Sequence, residues 1–481
     1  MLFGLTKTLR ERDGEMKRKL IILWGLAVWM FLMVTGGLLQ GRTITVRFGG
    51  DFDTIQEAID DASNGDTIFI ADGVYYGNGN RDIDFKGKAI TVQSENGPAM
   101  CIIDCQGSAG DPHRGFYFHS NEDANSVLDG LTIVNGYASS ASPEQKEWSG
   151  GGILCYLSSP TIRNCIIMGN TTRNGTGGGI RASGRTVIIG CIIKGNYAVG
   201  LQEFGPGGAG ISCGGNTTVS NCIIFDNTAE CFGGGIMCTA GNPRIMNCTI
   251  IGNLAGAGGG IGCVWWGHAL ITNCTVSDNL ASSFGGGISC LDSRPALLNC
   301  ILWGDSSNRG PEIMSYGIYG QFSITISYSD VQGGQAGAYV TGNSTLIWGD
   351  GNITNDPCFA GPGYWDANGT PEDANDDFWV DGDYHLKSQA GRWNANSESW
   401  VKDDVTSPCI DAGDPASPIG LEPFPNGGII NMGAYGGTAE ASKSYFGGPV
   451  CETIVAGDIN GDCKVNFKDF ALMAFHWLEK R

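Results

Sequence analysis

The chain has 481 residues, among them 77 glycines and 18 cysteines, and a formal net charge of −20. The charge is unevenly spread: residues 350–481 carry 21 acidic and 8 basic side chains, residues 150–300 carry 5 and 7. That balance argues against nucleic acid as a partner and marks the C-terminal third as a separate, acidic region.

In chain order, the first feature is Lys17-Arg18-Lys19 followed by an apolar run from Leu20 to Val34, the layout of an export signal. Met16 would make a more typical start than Met1. Extended to Leu39 the run reaches about 20 residues, enough to cross a bilayer. Residues 1–41 are therefore read as a signal peptide or membrane anchor, and the body as secreted or held at the cell surface. Thr54 to Ser63 predicts an amphipathic helix with Ile55, Ala58, Ile59 and Ala62 on one face, Thr54 and Glu57 as a capping box and Gly65 as a stop. Thr67 to Ile70 and Ala89 to Val92 then read as strands.

From Gly150 to Asp305 a unit of about 26 residues recurs, each copy with a Gly-Gly-Gly-Ile element (Gly150 to Ile153 in the first), an Asn-Cys and a Gly-Asn. A period of this length means a solenoid, whose units must stack to bury their apolar faces. The repeated cysteines are Cys165, Cys191, Cys222, Cys248, Cys274 and Cys300, each with an aliphatic residue two positions on. That shared parity points both inward on a strand. The Gly-rich element opens another strand with Ile153, Ile180, Ile211, Ile236, Ile261 and Ile288 inward and Cys155, Cys213, Cys238, Cys263 and Cys290 two residues later. A third short strand such as Thr161-Ile162-Arg163 precedes the Asn-Cys. Asn164, Asn221, Asn247, Asn273 and Asn299 occupy a sharp turn suited to left-handed backbone and to amide bonds along the stack. Asn170, Asn196, Asn227, Asn253, Asn279 and Asp305 mark a second turn.

Three short strands per coil, with six matched copies, resemble the right-handed parallel β-helix of the pectin-lyase type. The expected fold is therefore all-β: a β-helix over residues 42–345, plugged at its N-terminus by the capping helix. The cysteines of its two interior ladders are read as reduced small hydrophobes. Cys451 with Cys463, and less strongly Cys101 with Cys105, are the disulfide pairs considered.

Residues 346–448 form an irregular acidic extension in which the repeat dissolves. Phrases such as "SPCIDAGDP" and "NMGAYGG" resemble the closing segments of exported bacterial β-helix proteins. At residues 449–481 the pattern changes again. Asp458, Asn460, Asp462, Asn466 and Asp469 take positions 1, 3, 5, 9 and 12 of an EF-hand-like loop, with the Lys464 carbonyl at position 7. Together they predict a calcium site, and Phe467 to Leu478 the helix that leaves it. The segment resembles a single dockerin repeat, which implies an attachment or sorting module and a cohesin-like or surface partner. It departs from that family in having one repeat instead of two and Cys463 where the loop glycine stands.

The fold resemblance implies a polysaccharide or cell-surface glycan as partner, and polysaccharide lyase or glycoside hydrolase as the class if the protein is an enzyme. Fold alone does not carry that activity. The outward positions after the Gly-rich element include no carboxylate, and the five histidines show no pairing in the sequence. Catalytic residues are therefore left unassigned. The substrate-binding residues named are Trp265 and Trp266, one of which should face outward and stack on a sugar ring, and Arg181. Outward Ile166, Ile192, Ile223, Ile301, Met168, Phe225, Ile251 and Trp303 form an apolar strip, expected to be covered by the tail or by a polymer. The alternative function is a non-catalytic surface or adhesion protein, since the "GGGI" and "IxxN" elements are similar to repeats of polymorphic outer-membrane proteins.

Overall fold

The computed structural model describes residues 41–47, 49–139, 149–200, 207–368, 378–447, 457, 459 and 464–478. The apolar N-terminal run, Asp458, Asn460, Asp462, Cys451 and Cys463 lie outside these residues. Among the described helices none is long and apolar enough to cross a membrane.

The chain winds into a parallel solenoid whose strands form three sheets, of 20, 10 and 7 strands. One coil contributes Ile153–Cys155 and Thr161–Arg163 to the largest sheet, Ile166–Met168 to the 10-stranded one and Thr171–Arg173 to the 7-stranded one. Each coil thus has a fourth short strand beyond the three that the repeat predicts. Its inward residues are small, Ala138, Thr172, Ala198, Ala229, Ala255 and Ala281. Without a large aliphatic to mark it, period-two patterning gives no signal.

Like stacks on like. Ile153 pairs with Ile180, Ile180 with Ile211, Ile211 with Ile236 and Ile236 with Ile261, all fully buried. The cysteine ladders are interior, as their parity predicts, and every cysteine among the described residues is a free thiol. Cys213 and Cys238 sulfurs lie 3.7 Å apart without a bond. Burial pushes the Cys248 and Cys274 thiols well up from their ordinary range. The Cys101–Cys105 disulfide does not form. Cys101 opens the strand Cys101–Asp104 and Cys105 follows it, and four residues of extended chain separate their Cα atoms by about 13 Å, far beyond bridging range.

The two asparagine columns divide the work expected of one. Asn164, Asn221, Asn247, Asn273 and Asn299 hold left-handed backbone with φ of 50–56°. The amide stack forms instead in the second column. There each Nδ2 donates to the next Oδ1, from Asn170 to Asn196, Asn227, Asn253 and Asn279, at 2.9–3.0 Å. Asn279 closes the series on Asp305 at 2.9 Å. These side chains point into the solenoid and are fully buried, where an unmet amide is costly.

At the N-terminus the helix Ile55–Asp61 buries Ile55, Ala58 and Ile59 over the first coil. Its Thr54 hydroxyl accepts the Glu57 N–H at 3.3 Å and donates to the Glu57 carboxylate at 2.9 Å. At the other end the tail folds back over the 10-stranded sheet. Phe359, Trp379, Tyr384, Leu386, Cys409 and Met432 form a second core with Ile251 and Ile301, and Phe225 and Trp303 pack at its margin. The C-terminal part of the apolar strip is therefore covered by the chain itself. Asn247 and Asn273 amides bond the Gly436 carbonyl at 2.8 and 3.2 Å, fixing the tail to the turn column.

Candidate functional site

On the largest sheet the outer column of the strands that follow the glycines is largely closed to solvent. Register runs Asp84, Tyr117, Leu154, Arg181, Ser212, Met237, Gly262, Ser289, Met314. Between its ends Leu154, Ser212, Met237, Gly262 and Ser289 are buried and Arg181 is the one charged residue. The chemistry lies at its two ends.

At the C-terminal end Trp265 and Trp266 form the turn that follows the strand Ile261–Val264. In the equivalent turns Gly184, Gly215 and Gly241 take positive φ (99°, 62° and 119°). Here both tryptophans do, at 46° and 63°. For bulky residues this is a true outlier, costing about 1–3 kcal/mol each, of the kind found where function requires it. The Trp265 ring is half-buried and set edge-on to Phe232, with centroids 6.2 Å apart. Trp266 is 55% exposed. One tryptophan anchors and the other is displayed.

Asp292, one coil on, ties this turn to the next. Its carbonyl accepts the Trp266 N–H at 2.8 Å and its N–H donates to the Tyr316 carbonyl at 3.0 Å. Its Oδ1 accepts the N–H groups of Ile318 (2.6 Å) and Tyr319 (3.2 Å). Tyr316, Ile318 and Tyr319, on the long strand Ile313–Ser327, are all exposed, Tyr319 at 75%. Asp292, itself buried, thus holds the Trp266 turn through its main-chain carbonyl and this aromatic loop through its carboxylate.

Arg181 is half-buried and extends along the column, its Nη1 3.1 Å from Ser212 Oγ. It stands three coils from Gly262, about 14 Å at the interstrand spacing, so it does not meet the tryptophans.

The N-terminal end holds a polar group that the sequence reading missed. His113 Nδ1 contacts Asp82 Oδ2 and its Nε2 lies 3.1 Å from Asp111. Arg81 reaches Asp111 at 3.7 Å. His119 Nε2 is 3.4 Å from Asp84 Oδ2, and its ring stacks on Tyr117 with centroids 3.9 Å apart. His385, in the tail, lies between Asp383 and Glu440. The histidines, unpaired in the sequence, meet carboxylates in the fold: among the described residues His113, His119 and His385 each face at least one. The same holds for Arg163, which has no acid near it in sequence but bonds Asp129 of the preceding coil at 2.7 Å. Asp226 and Asp278 are turn residues with φ of 53° and 56°. Burial raises both carboxyl groups, and Asp278 accepts the Tyr384 hydroxyl at 2.7 Å.

Of the calcium-loop residues, Lys464, Asn466 and Asp469 are described. The Asp469 carboxylate is buried in the loop, accepting the N–H groups of Ile459 (2.8 Å) and Asn466 (2.7 Å). Asn466 caps the helix Phe467–Leu478 by accepting the Lys468 N–H at 2.8 Å.

Fold and site together define the class, a parallel β-helix carrying an aromatic ridge and a polar cluster on one outer column. Residues 151–319 match the family model for a right-handed β-helix region, and residues 316–413 match one described as disaggregatase related. No curated protein matches the chain. Among solved structures it is similar to pectate lyase Pel9A, at 14% identity over 83% of this chain and 97% of that one, with a TM-score of 0.45. It is also similar to the pectin methyl esterase of rice weevil, at 13% identity over 65% and 88%, with a TM-score of 0.26.

Proposed function

We infer that this is an exported β-helix protein that binds an extended polysaccharide beside the outer column of its largest sheet. The observation that carries the reading is Trp266, an exposed indole held in left-handed backbone where the three preceding coils have Gly184, Gly215 and Gly241. Together with Tyr316 and Tyr319 it offers flat apolar faces of the kind that stack on sugar rings. The middle of the column is covered by the protein itself, with Leu154, Ser212, Met237 and Gly262 buried, so the surface left to a chain lying parallel to the solenoid axis is the turn edge beside it, where Gly184 and Gly215 are half-buried and Ala240 is exposed. Five coils separate His119 from the Trp266 turn, about 24 Å of track.

The N-terminal basic and apolar run supports export. The dockerin-like segment supports a calcium-stabilised attachment module: Asp458, Asn460, Asp462, Asn466 and Asp469 with the Lys464 carbonyl would hold the ion by hard oxygens. Calcium there would order the loop and take no part in glycan binding.

Affinity electrophoresis of the full chain through gels containing polygalacturonate, alginate, xylan or β-glucan tests the reading. Retardation by at least one polymer, weakened about tenfold or more by Trp266→Ala, is expected. Equal mobility in every gel would overturn it. Calorimetric titration of the full chain with calcium should give heat that Asp469→Ala abolishes.

A further inference from the structure

The cluster at the N-terminal end of the column is built like a reaction centre. The strand that carries Asp84, Ile83–Asp84, is only two residues long and is bracketed by Asp82 and Lys86, both at positive φ (51° and 55°). Its backbone is clamped on both sides by Gln56, whose Oε1 accepts the Asp84 N–H at 2.9 Å and whose Nε2 donates to the Asp84 carbonyl at 3.0 Å. Asp84 Oδ1 is fixed by the Lys86 N–H at 2.7 Å, which leaves Oδ2 facing His119 Nε2. Tyr117 supports the imidazole from below and in turn lies against the Arg114 guanidinium, 5.1 Å from its ring. The His119 side chain is 35% exposed. Tyr156 and Leu157 of the next coil, also exposed, extend the same edge.

We propose that Asp84 and His119 form a general-base dyad that hydrolyses ester substituents on the bound glycan, an activity resting on the reading that a polymer lies beside this column. The carboxylate holds the proton on Nε2 and leaves Nδ1 as the base, the division of labour of an oriented imidazole. Nδ1 takes a proton from water as the water oxygen bonds to the ester carbonyl carbon and the C=O pair moves to oxygen. When the tetrahedral adduct collapses, the bond to the alkoxy oxygen breaks and that oxygen takes the proton back from Nδ1. The products are a carboxylic acid and an alcohol, acetic acid and a free sugar hydroxyl from an acetyl ester or a uronic acid and methanol from a methyl ester, with no redox partner or metal needed.

The surroundings favour an ester over the glycosidic bond. Glycoside hydrolysis needs a second carboxyl group as acid or nucleophile. Glu122 is buried with its oxygens held by the Gly87 and Ser120 N–H groups and the Ser158 hydroxyl, at 2.7–2.9 Å. Asp82 and Asp111 are taken up by His113, Arg81 and the Arg114 N–H. Elimination at a uronate needs a cation over the carboxylate, but Arg114 is buried beneath Tyr117 and Lys86 Nζ is held by Asp60 at 2.7 Å. In ester hydrolysis the same imidazole serves as base and acid.

The test uses the purified full chain with acetylated xylan and methyl-esterified polygalacturonate, following released acetate and methanol, and with 4-nitrophenyl acetate, which needs no glycan track. Wild-type protein should release product from at least one polymer. His119→Ala should lower kcat on that polymer and on 4-nitrophenyl acetate about 100-fold, the usual worth of a general base. Asp84→Asn should lower kcat with KM little changed, because the imidazole loses the carboxylate that orients it. Glycan retardation without ester release, or a His119→Ala rate equal to wild type, overturns the dyad. His119-dependent cleavage of 4-nitrophenyl acetate with no glycan retardation would keep the dyad and sink the polysaccharide reading instead.

Discussion

The indole of Trp379 rests directly on Gly252: a Cβ at residue 252 would lie 2.4–2.7 Å from three of its ring atoms. Gly252 is also at φ +55°, in the turn column where Asp226 and Asp278 stand in neighbouring coils. The glycine therefore both makes the turn and opens the seat into which the tail inserts its tryptophan. Gly252→Ala should displace Trp379, loosen the second core and cost about 2 kcal/mol through overpacking and backbone strain. Limited proteolysis should then cut within residues 350–447 at protease levels the wild type resists, while the solenoid stays protected. Unchanged cleavage would mean the tail is held by its hydrogen bonds alone.

The asparagine ladder ends on a carboxyl group, and that end titrates. Burial pushes Asp305 up to about 7, and raises Glu312, its hydrogen-bonded neighbour, well above the carboxylate range. Burial also takes Asp330 to about 6 and Glu422 to about 7. Unfolded, such groups release their protons near pH 4. Between about pH 4 and 7 the native state therefore holds protons the unfolded chain has lost, so stability falls as pH rises through that window. Tm should be several degrees lower at pH 8 than at pH 5. Asp305→Asn continues the ladder with a neutral amide that can accept from Asn279 and donate to Glu312. It should raise Tm at pH 8, change it little at pH 5 and flatten the slope between. A variant with the wild-type slope would remove Asp305 as its source.

Inside the ladder the same chemistry is unforgiving. Asn227 Nδ2 donates to the Ile193 carbonyl and to Asn253 Oδ1, both at 2.9 Å, while its Oδ1 accepts the Asn196 N–H and amide at 3.1 and 2.9 Å. Asn227→Ala would strand buried donors and acceptors on both sides. At about 1–3 kcal/mol for each group left unmet, several kcal/mol should be lost, read as a lower denaturation midpoint. Asn227→Asp should do no better, since it offers no amide to Ile193.

The interior of the solenoid was legible because stacking multiplies a weak signal: six copies put Ile153, Cys165 and their equivalents on one parity. The apolar strip from Phe225 to Trp303 likewise announced that something covers it. What could not be read is whatever depends on register between unlike coils. Asp84 and His119 are 35 residues apart, outside the regular 26-residue spacing, and meet only because Ile83 pairs with Phe116. Asp129 and Arg163 meet in the same way. The fourth strand was silent because alanine and threonine are enough to fill its narrow corner. Cys101 and Cys105 misled because proximity in sequence on an extended strand is distance in space.

The cysteines give a count that can be measured. Of the 16 described, only Cys231 and Cys358 are partly accessible, and the rest are buried. In a Cys451→Ser, Cys463→Ser background, a thiol reagent at pH 8 should label two sites quickly in the native protein. The other 14 should react only on unfolding, since burial both blocks the reagent and disfavours the thiolate. Labelling of the ladders at the fast rate would mean that the coils open locally.

Trp266 allows stability and binding to be set against each other. The backbone there is at φ +63°, a conformation glycine adopts without penalty and tryptophan does not. Its side chain is exposed, so little packing is lost with it. Trp266→Gly should therefore raise stability by about 1 kcal/mol, within the range of strain relieved at such positions, while weakening glycan retardation. Trp266→Ala keeps the strain and should lose binding without that gain. The pair separates two accounts of the residue. If Trp266→Gly lowers Tm, the indole is a structural wedge packed harder than its exposure indicates. If Tm rises and retardation falls, the strained turn persists because an aromatic face is needed at that edge, the stability–function conflict expected where a site is built on unfavourable backbone.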